Sequence, residues 1–228
     1  MYKKIIILFI TVLISFSCQQ SKVDKMMNAT KASYTDYTNG KKKMRFVPMV
    51  HVSTDEFYKD VANKVSDAKK DGYVLFYEFI DFDKASDLEK RKLRKLVGFI
   101  PTPEAYKDRL ESFGDKYVEQ ENSRFMNLVN NKDFNIDITP SEILMAYEKA
   151  YGKIELTDTD KNTPITETIT DTYPKERFQK IIIDYRNKHL AKAINSGKYD
   201  KMIVLYGAEH ENGLLKALQE LDSDWKAV

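Results

Sequence analysis

The chain has 228 residues, of which 42% are hydrophobic and 32% charged, a composition typical of globular proteins and unlike that of disordered or repeat chains. This length favours one domain, with two small ones possible. With 37 basic and 35 acidic residues, the formal net charge is only +2, so there is no strong field that would favour acidic substrates, and no nucleic-acid partner is expected.

The first 17 residues are predicted to be a signal peptide. Two lysines precede an apolar run from Ile5 to Phe16, and this basic start with a short apolar core is typical of secretory signals. The only cysteine, Cys18, follows at the expected cleavage point and resembles the lipidated cysteine of a bacterial lipobox, with Ser15-Phe16-Ser17 in place of Leu-Ala-Gly. The resemblance implies that Cys18 becomes the lipidated first residue of the mature protein. An uncleaved anchor, or a cleaved signal with an incidental cysteine, is the alternative.

Residues 18–43 are polar, rich in lysine and without apolar periodicity, which predicts a lipidated tether. The folded domain is then expected to comprise residues 44–228. A lipid on Cys18 would hold this domain on a membrane of the bacterial cell envelope, outside the cytoplasm, and either the inner or the outer membrane fits.

The domain is predicted to start with a strand, Phe46–Val50, that ends at His51. Ser53 or Thr54 can cap the helix that follows, whose apolar residues recur at helical spacing until Asp71-Gly72. The next apolar run, Tyr73–Tyr77, predicts a buried strand. A strand–helix–strand unit predicts a right-handed crossover and a parallel pair of strands. His51 and Glu78 are therefore expected to leave the sheet at the same edge.

The middle of the chain predicts mostly helices. These are a charged helix from Asp83 to Leu96, a short one from Pro103 to Phe113, and one that Thr139 opens and that extends to Tyr151. The segment Ile154–Pro174 is rich in threonine and aspartate without clear periodicity, which predicts a long surface loop and a candidate flap over the site.

The last third of the chain repeats the strand-to-histidine pattern. A long helix, from Phe178 to Ser196-Gly197, precedes the strand Met202–Tyr206, and Gly207-Ala208-Glu209-His210 leads into a helix that ends at Leu221. Residues 222–228 are a candidate edge strand. Two of the three histidines thus occupy strand-to-helix junctions, the position at which open α/β sheets bind ligands.

Two imidazoles and a carboxylate are a common ligand set for a divalent metal with an open position for water. His51, His210 and Glu78 are the predicted ligands, and zinc, manganese, cobalt or iron(II) would suit them. Such a metal activates water and polarises a carbonyl, which predicts hydrolysis. Glu209 is predicted to orient a ligand or act as general base. Arg186 is predicted to pair with a substrate carboxylate or an oxyanion, with a solvated or helix-capping charge as the alternative.

Four segments together resemble the TraB/GumN family, which includes the Tiki Wnt-cleaving proteases: Val47–His51, Val74–Glu78, Arg186-Asn187 and Gly207–Leu215. The resemblance spans roughly Met44 to Leu221. It implies an EreA/ChaN-like architecture, an α/β fold with a mixed, partly parallel sheet flanked by helices. It also implies metal and catalytic roles for the two junction histidines and the strand-end glutamate.

The same resemblance implies supporting roles for Gly207, Asn187, Gly213 and Asp137, the last through a weaker acidic motif in the middle of the chain. Pro48 replaces the glycine of the family's first motif. The expected function is a metal-dependent, peptidase-like hydrolase that acts on a peptide or small molecule with Mn, Co or Zn. The alternatives are a haem- or metal-binding lipoprotein of the ChaN type and an inactive envelope interaction module.

Overall fold

The computed structural model describes residues 23–100 and 114–228, which contain eight strands and, after the helical residues 23–27, seven further α-helices. The strands are β1 (Thr35–Thr38), β2 (Lys43–Met49), β3 (Val52–Thr54), β4 (Val74–Tyr77), β5 (Tyr117–Glu119), β6 (Asp133–Asn135), β7 (Lys201–Gly207) and β8 (Lys226–Ala227). The helices are α1 (Asp55–Lys70), α2 (Asp87–Val97), α3 (Pro140–Tyr151), α4 (Asp158–Asn162), α5 (Lys175–Lys180), α6 (Arg186–Ser196) and α7 (Glu211–Leu221).

Six strands form one mixed, mostly parallel sheet in the order β6-β4-β7-β2-β1-β8, and β3 and β5 form a separate antiparallel ribbon. Helices α6 and α7 pack on one face of the large sheet and α1 packs on the other. Both faces of the central strands are therefore buried, which explains why β2 and β7 appear in the sequence as nearly continuous apolar runs. The expected α/β class, with a partly parallel sheet flanked by helices, is confirmed.

The arrangement of β2 and β4 corrects one expectation and confirms another. The two strands run in the same direction, but β7 lies between them and pairs in parallel with both. The prediction of a directly paired β2 and β4 is wrong, because a strand from the end of the chain inserts between them. Their carboxyl ends nevertheless meet at the same edge of the sheet, as predicted.

The domain begins before Met44, so the predicted boundary of the tether is wrong. Residues 35–38 form β1, antiparallel to β2, and the Tyr37 side chain is buried. Met26 and Ala32 are buried in the core under α1. These apolar residues are too few and too far apart to give a periodic signal. The predicted signal peptide and Cys18 lie outside the described residues. Within the described ranges, no helix is long and apolar enough to cross a membrane.

The helix boundaries follow local capping. Thr54 caps α1 by accepting from the Phe57 N–H, as predicted. The helix predicted from Asp83 to Leu96 is confirmed from Asp87 onward as α2, but Asp83 and Lys84 lie in a 3₁₀ turn, because Ser86 and Glu89 form a capping box that starts the α-helix at Asp87. Thr139 opens α3 with a capping box of its own, as predicted. The predicted helix from Pro103 lies outside the described residues.

The segment Ile154–Pro174 packs against α2 and contains the short helix α4. Arg94 of α2 is fully buried and donates hydrogen bonds to the carbonyl groups of Asp160, Thr163 and Pro164. Lys95 adds an ion pair with the buried Asp160. The segment lies on the surface, as predicted, but it contains a short helix that the sequence did not predict, and cationic side chains of α2 bind its carbonyl groups.

The predicted long helix before the last core strand is interrupted. Between α5 and α6, residues Ile181–Tyr185 form a π-helical turn, which widens the helix immediately before Arg186. Such turns are rare and occur frequently at functional sites.

Candidate functional site

Glu78 and Gly207 meet at the edge where the parallel strands end. Glu78 follows β4, and its N–H donates to the carbonyl of Leu205 in β7 at 3.1 Å. Gly207, the last residue of β7, donates its N–H to the Glu78 carboxylate. A Cβ at Gly207 would lie 3.3 Å from Glu78 Oε2 and 3.5 Å from His210 Cδ2. A glycine at this position therefore lets the carboxylate and the imidazole approach the backbone closely.

The guanidinium of Arg186 contacts side chains from three separate segments of the sequence, those of Asp137, Glu78 and His210. It forms a bidentate pair with Asp137, with Nε and Nη2 at 2.8 and 2.7 Å from the two carboxylate oxygens. Nη2 also lies 2.5 Å from Glu78 Oε1. Nη1 lies 3.3 Å from His210 Nε2 and 3.4 Å from the Ile182 carbonyl.

These contacts use all five N–H donors of the guanidinium. Arg186 is only 4% exposed, and the side chain of Asp137 is fully enclosed. In this arrangement Arg186 has no donor left for a substrate oxyanion. It instead holds Glu78 and Asp137 in place. That Arg186 pairs with a negatively charged group of the substrate stays a prediction.

The contacts of His210 determine which of its ring nitrogens carries the proton. An arginine can only donate, so His210 Nε2 must accept from Arg186. The proton therefore sits on Nδ1, which lies 2.8 Å from Asn187 Oδ1 and donates to it. The edge of the Tyr206 ring completes the surroundings, with ring centroids 4.9 Å apart. His210 is thus a neutral hydrogen-bonding residue that is 3% exposed.

Gly213 of α7 makes room for the amide that orients His210. A Cβ there would lie 2.2 Å from Asn187 Nδ2, too close for the amide to stay in place. We expect Gly213→Ala to reduce the free energy of unfolding by about 1–3 kcal/mol, because the Asn187–His210 hydrogen bond must break or bend. Urea denaturation measures this loss, and ¹⁵N NMR of the His210 ring should show a change of tautomer population.

Asn212→Ala, at the exposed neighbouring position, is the matched control and should change neither quantity. Unchanged stability and unchanged ring-nitrogen shifts in Gly213→Ala would show that Asn187 does not position His210.

The surroundings shift the pKa values of two carboxyl groups, those of Glu78 and Glu209, in opposite directions. Burial is the largest single effect on Glu78 and disfavours its ionised form, but the charges around it, that of Arg186 foremost, and the Gly207 N–H together outweigh burial and lower the pKa of Glu78 to about 2. Burial raises the pKa of Glu209, and the charge of His51 opposes this only in part. Burial also lowers the pKa of His210 to about 4, with Arg186 acting in the same direction. At neutral pH, Glu78 is ionised and His210 is uncharged.

His51 lies beside the site with an exposed side chain, and the exposed side of the site, where His51 and the half-buried Glu209 lie, is called its opening below. Its carbonyl accepts from the Gln120 N–H at 2.9 Å, which anchors the segment between β2 and β3. The charge of His51 lowers the pKa of Glu78 and opposes the effect of burial on Glu209 and Glu119. His51 therefore lies within electrostatic reach of carboxylates from β4, β5 and the end of β7.

The side chains as arranged do not fit the predicted metal. Among residues 23–100 and 114–228, no three His, Cys, Asp or Glu side chains converge as a metal site would require. Both ring nitrogens of His210 are engaged, and its Nε2 faces a guanidinium cation. A metal held by His51, His210 and Glu78 would have to displace Arg186. The metal stays a prediction.

Pro48 lies within β2, opposite Tyr206 of β7. On the other side of β2, the pairing with β1 ends opposite Phe46. At Pro48 the strand is therefore paired on one side only, a setting in which a strand tolerates a residue without an N–H. A proline at this position thus leaves the strand itself intact.

The structure brings Glu78, Asp137, Arg186, Asn187 and His210 into one hydrogen-bonded cluster, next to Gly207 and Gly213. Glu209 is half-buried beside it, and His51 lies at the opening. Sequence reasoning missed Tyr206, whose hydroxyl donates to the Ile136 carbonyl and whose ring lies 5.3 Å from Arg186 Cζ. Its place at the end of the last core strand, directly before Gly207, was the available signal.

Comparison with known proteins yields no relative for this chain: no family model, no curated protein and no solved structure matches it.

Proposed function

We propose that this chain is a hydrolase of the bacterial cell envelope that cleaves a peptide or related acyl bond at the opening between the ends of β2, β4 and β7. The observation that carries the proposal is the contrast between two carboxyl groups at this edge. Arg186 keeps Glu78 ionised, whereas burial raises the pKa of Glu209. Two neighbouring carboxyl groups with pKa values shifted apart are typical of acid–base catalysis.

The chemistry divides among three residues at the opening. His51 removes a proton from a water molecule as the water oxygen attacks the carbonyl carbon of the substrate. The ionised Glu78 stabilises the imidazolium that forms. Glu209, in its protonated form, donates a proton to the leaving nitrogen or oxygen. Arg186 is a positioning residue, since its donors hold Glu78 and Asp137 and leave none for the substrate.

The proposal includes the finer assignments that the sequence suggested. We propose an EreA/ChaN-like architecture, membership of the TraB/GumN family and a lipid on Cys18. The cluster supports the family assignment, because residues quoted from separate family motifs contact one another directly. A bound Mn, Co or Zn ion would supply an activated water, but the arrangement of His210 and Arg186 does not fit one, so no step is assigned to it.

The test is hydrolysis of a library of fluorogenic peptides by the full chain, with and without EDTA. We expect Glu78→Gln to lower kcat/KM by about 10²-fold, because an amide cannot stabilise the imidazolium of His51. Glu176→Gln, at an exposed position in α5, is the matched control and should keep full activity.

Each outcome of this assay is informative. Activity that survives EDTA agrees with the side-chain arrangement, and activity that EDTA abolishes and Mn²⁺ restores shows that a metal does bind. Wild-type activity in Glu78→Gln would contradict the proposed chemistry. A folded protein that cleaves none of the peptides contradicts the hydrolase proposal and favours one of the alternatives. A Soret band after addition of haemin then indicates a haem-binding lipoprotein, and its absence favours an interaction module.

A further inference from the structure

The amino-terminal segment of the described chain, residues 23–32, docks at the carboxyl end of β2. The buried side chain of Met26 packs in the same core as Met49. The chain then enters β1 at Thr35, which lies opposite Phe46, and leaves it at Thr38, opposite Lys43. The segment that precedes β1 therefore lies beside the carboxyl edge of the sheet and not at the opposite edge.

Hydrogen bonds fix this segment to the β3–β5 ribbon. The Ser53 hydroxyl donates to the Met26 carbonyl at 2.8 Å, and the Thr54 hydroxyl donates to the Ala29 carbonyl at 2.6 Å. From the β5 side, the Tyr117 hydroxyl donates to Asn28 Oδ1 at 2.7 Å. Ser53 and Thr54 are fully or almost fully buried, so these bonds form part of the core of the domain.

The same ribbon borders the opening of the site. His51 directly precedes β3, and the residue opposite Val52 in β5 is Glu119. Asn122, three residues after β5 ends, donates to the Glu78 carbonyl at 3.3 Å. The ribbon thus holds the amino-terminal segment, and the residues next to its strands contribute to the site.

The length of the chain limits how far a lipid on Cys18 can lie from this edge. Val23 follows Cys18 by five positions, so the Cα atoms of the two residues lie at most about 18 Å apart when the chain between them is fully extended. The opposite edge of the sheet is farther away by the length of β2, whose seven residues extend about 23 Å. The lipid can therefore bring the carboxyl edge to the membrane surface but cannot bring the opposite edge there without turning the whole domain.

We propose that the opening of the site faces the membrane surface and that its substrate is a polypeptide segment held close to that surface. This inference rests on the proposed function and on the lipid at Cys18. Exposed lysines near the anchor, Lys25, Lys31 and Lys116, can contact anionic headgroups. Asp24 and Asp115 beside them weaken that attraction, so the short tether sets the orientation and the lysines add to it.

The orientation can be measured without knowing the substrate. Because Cys18 is the only native cysteine and is occupied by lipid, a second cysteine can be labelled selectively. The lipidated full chain is placed on phosphatidylethanolamine–phosphatidylglycerol vesicles that carry an acceptor dye on the headgroups. Energy transfer is compared for donors at Glu121→Cys, beside the opening, and at Lys41→Cys, in the turn at the opposite edge; both positions are exposed.

We expect clearly stronger transfer from position 121 than from position 41. A matched variant with about twenty Gly/Ser residues inserted between Gln20 and Ser21 adds roughly 25 Å of flexible reach and should remove most of the difference. Equal transfer from both positions in the original chain, or a chain that carries no lipid, overturns the proposal.

A cleavage assay then separates the two proposals. One fluorogenic peptide is offered free in solution and coupled to a phospholipid in the same vesicles. Faster cleavage of the coupled peptide, lost in the variant with the spacer, supports a membrane-proximal substrate. Equal cleavage of both forms overturns this inference but leaves the hydrolase proposal standing. Cleavage of neither form contradicts the hydrolase proposal, and the orientation is then decided by the energy-transfer result alone.

Discussion

Arg186→Met is expected to destabilise the domain by about 3–5 kcal/mol, the cost of leaving buried charges without their partner. The substitution leaves two carboxylates facing each other: Asp137, which is fully enclosed, and Glu78, whose side chain is 19% exposed. Without the cation, the pKa of Glu78 should rise from about 2, since burial is then opposed only by weaker interactions. Urea denaturation at neutral pH measures the loss.

Two further variants make the interpretation specific. Lys188→Met removes an exposed positive charge from the same helix and should change the stability little. Adding Glu78→Gln and Asp137→Asn to Arg186→Met should restore part of the stability, because the uncompensated charges are then gone. A single Arg186→Met variant as stable as the wild type would show that the cluster does not hold this edge of the sheet together.

The stability of the domain is expected to fall steeply as the pH is lowered from 6.5 to 4. The ordinary pKa of histidine is 6.5, and that of His210 is lowered to about 4 in the folded protein by burial and by Arg186. The unfolded chain therefore takes up a proton before the folded one does. The contribution of His210 is present in full above pH 6.5 and is lost as the pH falls through 4, a difference of about 3 kcal/mol. Glu78, lowered to about 2, extends the loss to still lower pH.

A titration of the free energy of unfolding against pH tests this expectation. His210→Asn should be less stable than the wild type at pH 7 but should show a shallower slope between pH 6.5 and 4. His189→Asn, at a half-buried position in α6, is the control and should keep the wild-type slope. Identical slopes for His210→Asn and the wild type would mean that His210 is not held uncharged by its surroundings.

Local sequence patterns sufficed for most helices, for the core strands and for the edge at which Glu78 and His210 lie. The apolar run that ends at Gly207 and the capping residue Thr54 are short-range signals, and the structure confirms both. The equivalence of the His51 and His210 junctions also follows from strand direction alone, because parallel strands end at the same edge. Residue types within a few positions of one another determine all of these features.

The order of the strands and the roles inside the cluster could not be predicted in this way. The insertion of β7 between β2 and β4 depends on how the whole sheet packs, and a segment more than 120 residues away along the chain supplies it. Whether Arg186 contacts a substrate or its own carboxylates depends on distances of about an ångström. The sequence placed the two junction histidines together, whereas the structure buries His210 against Arg186 and leaves His51 exposed at the opening.

The central claim, that His51 and Glu209 transfer the protons while Glu78 and the buried cluster around it stabilise the charged His51, is tested most directly by His51→Gln. Its kcat/KM on a cleaved peptide and its thermal stability are measured beside those of the wild type and of His189→Gln. We expect His51→Gln to lose about 10²–10⁴-fold in kcat/KM with an unchanged melting temperature, and His189→Gln to keep its activity. Full activity in a folded His51→Gln protein would contradict the account.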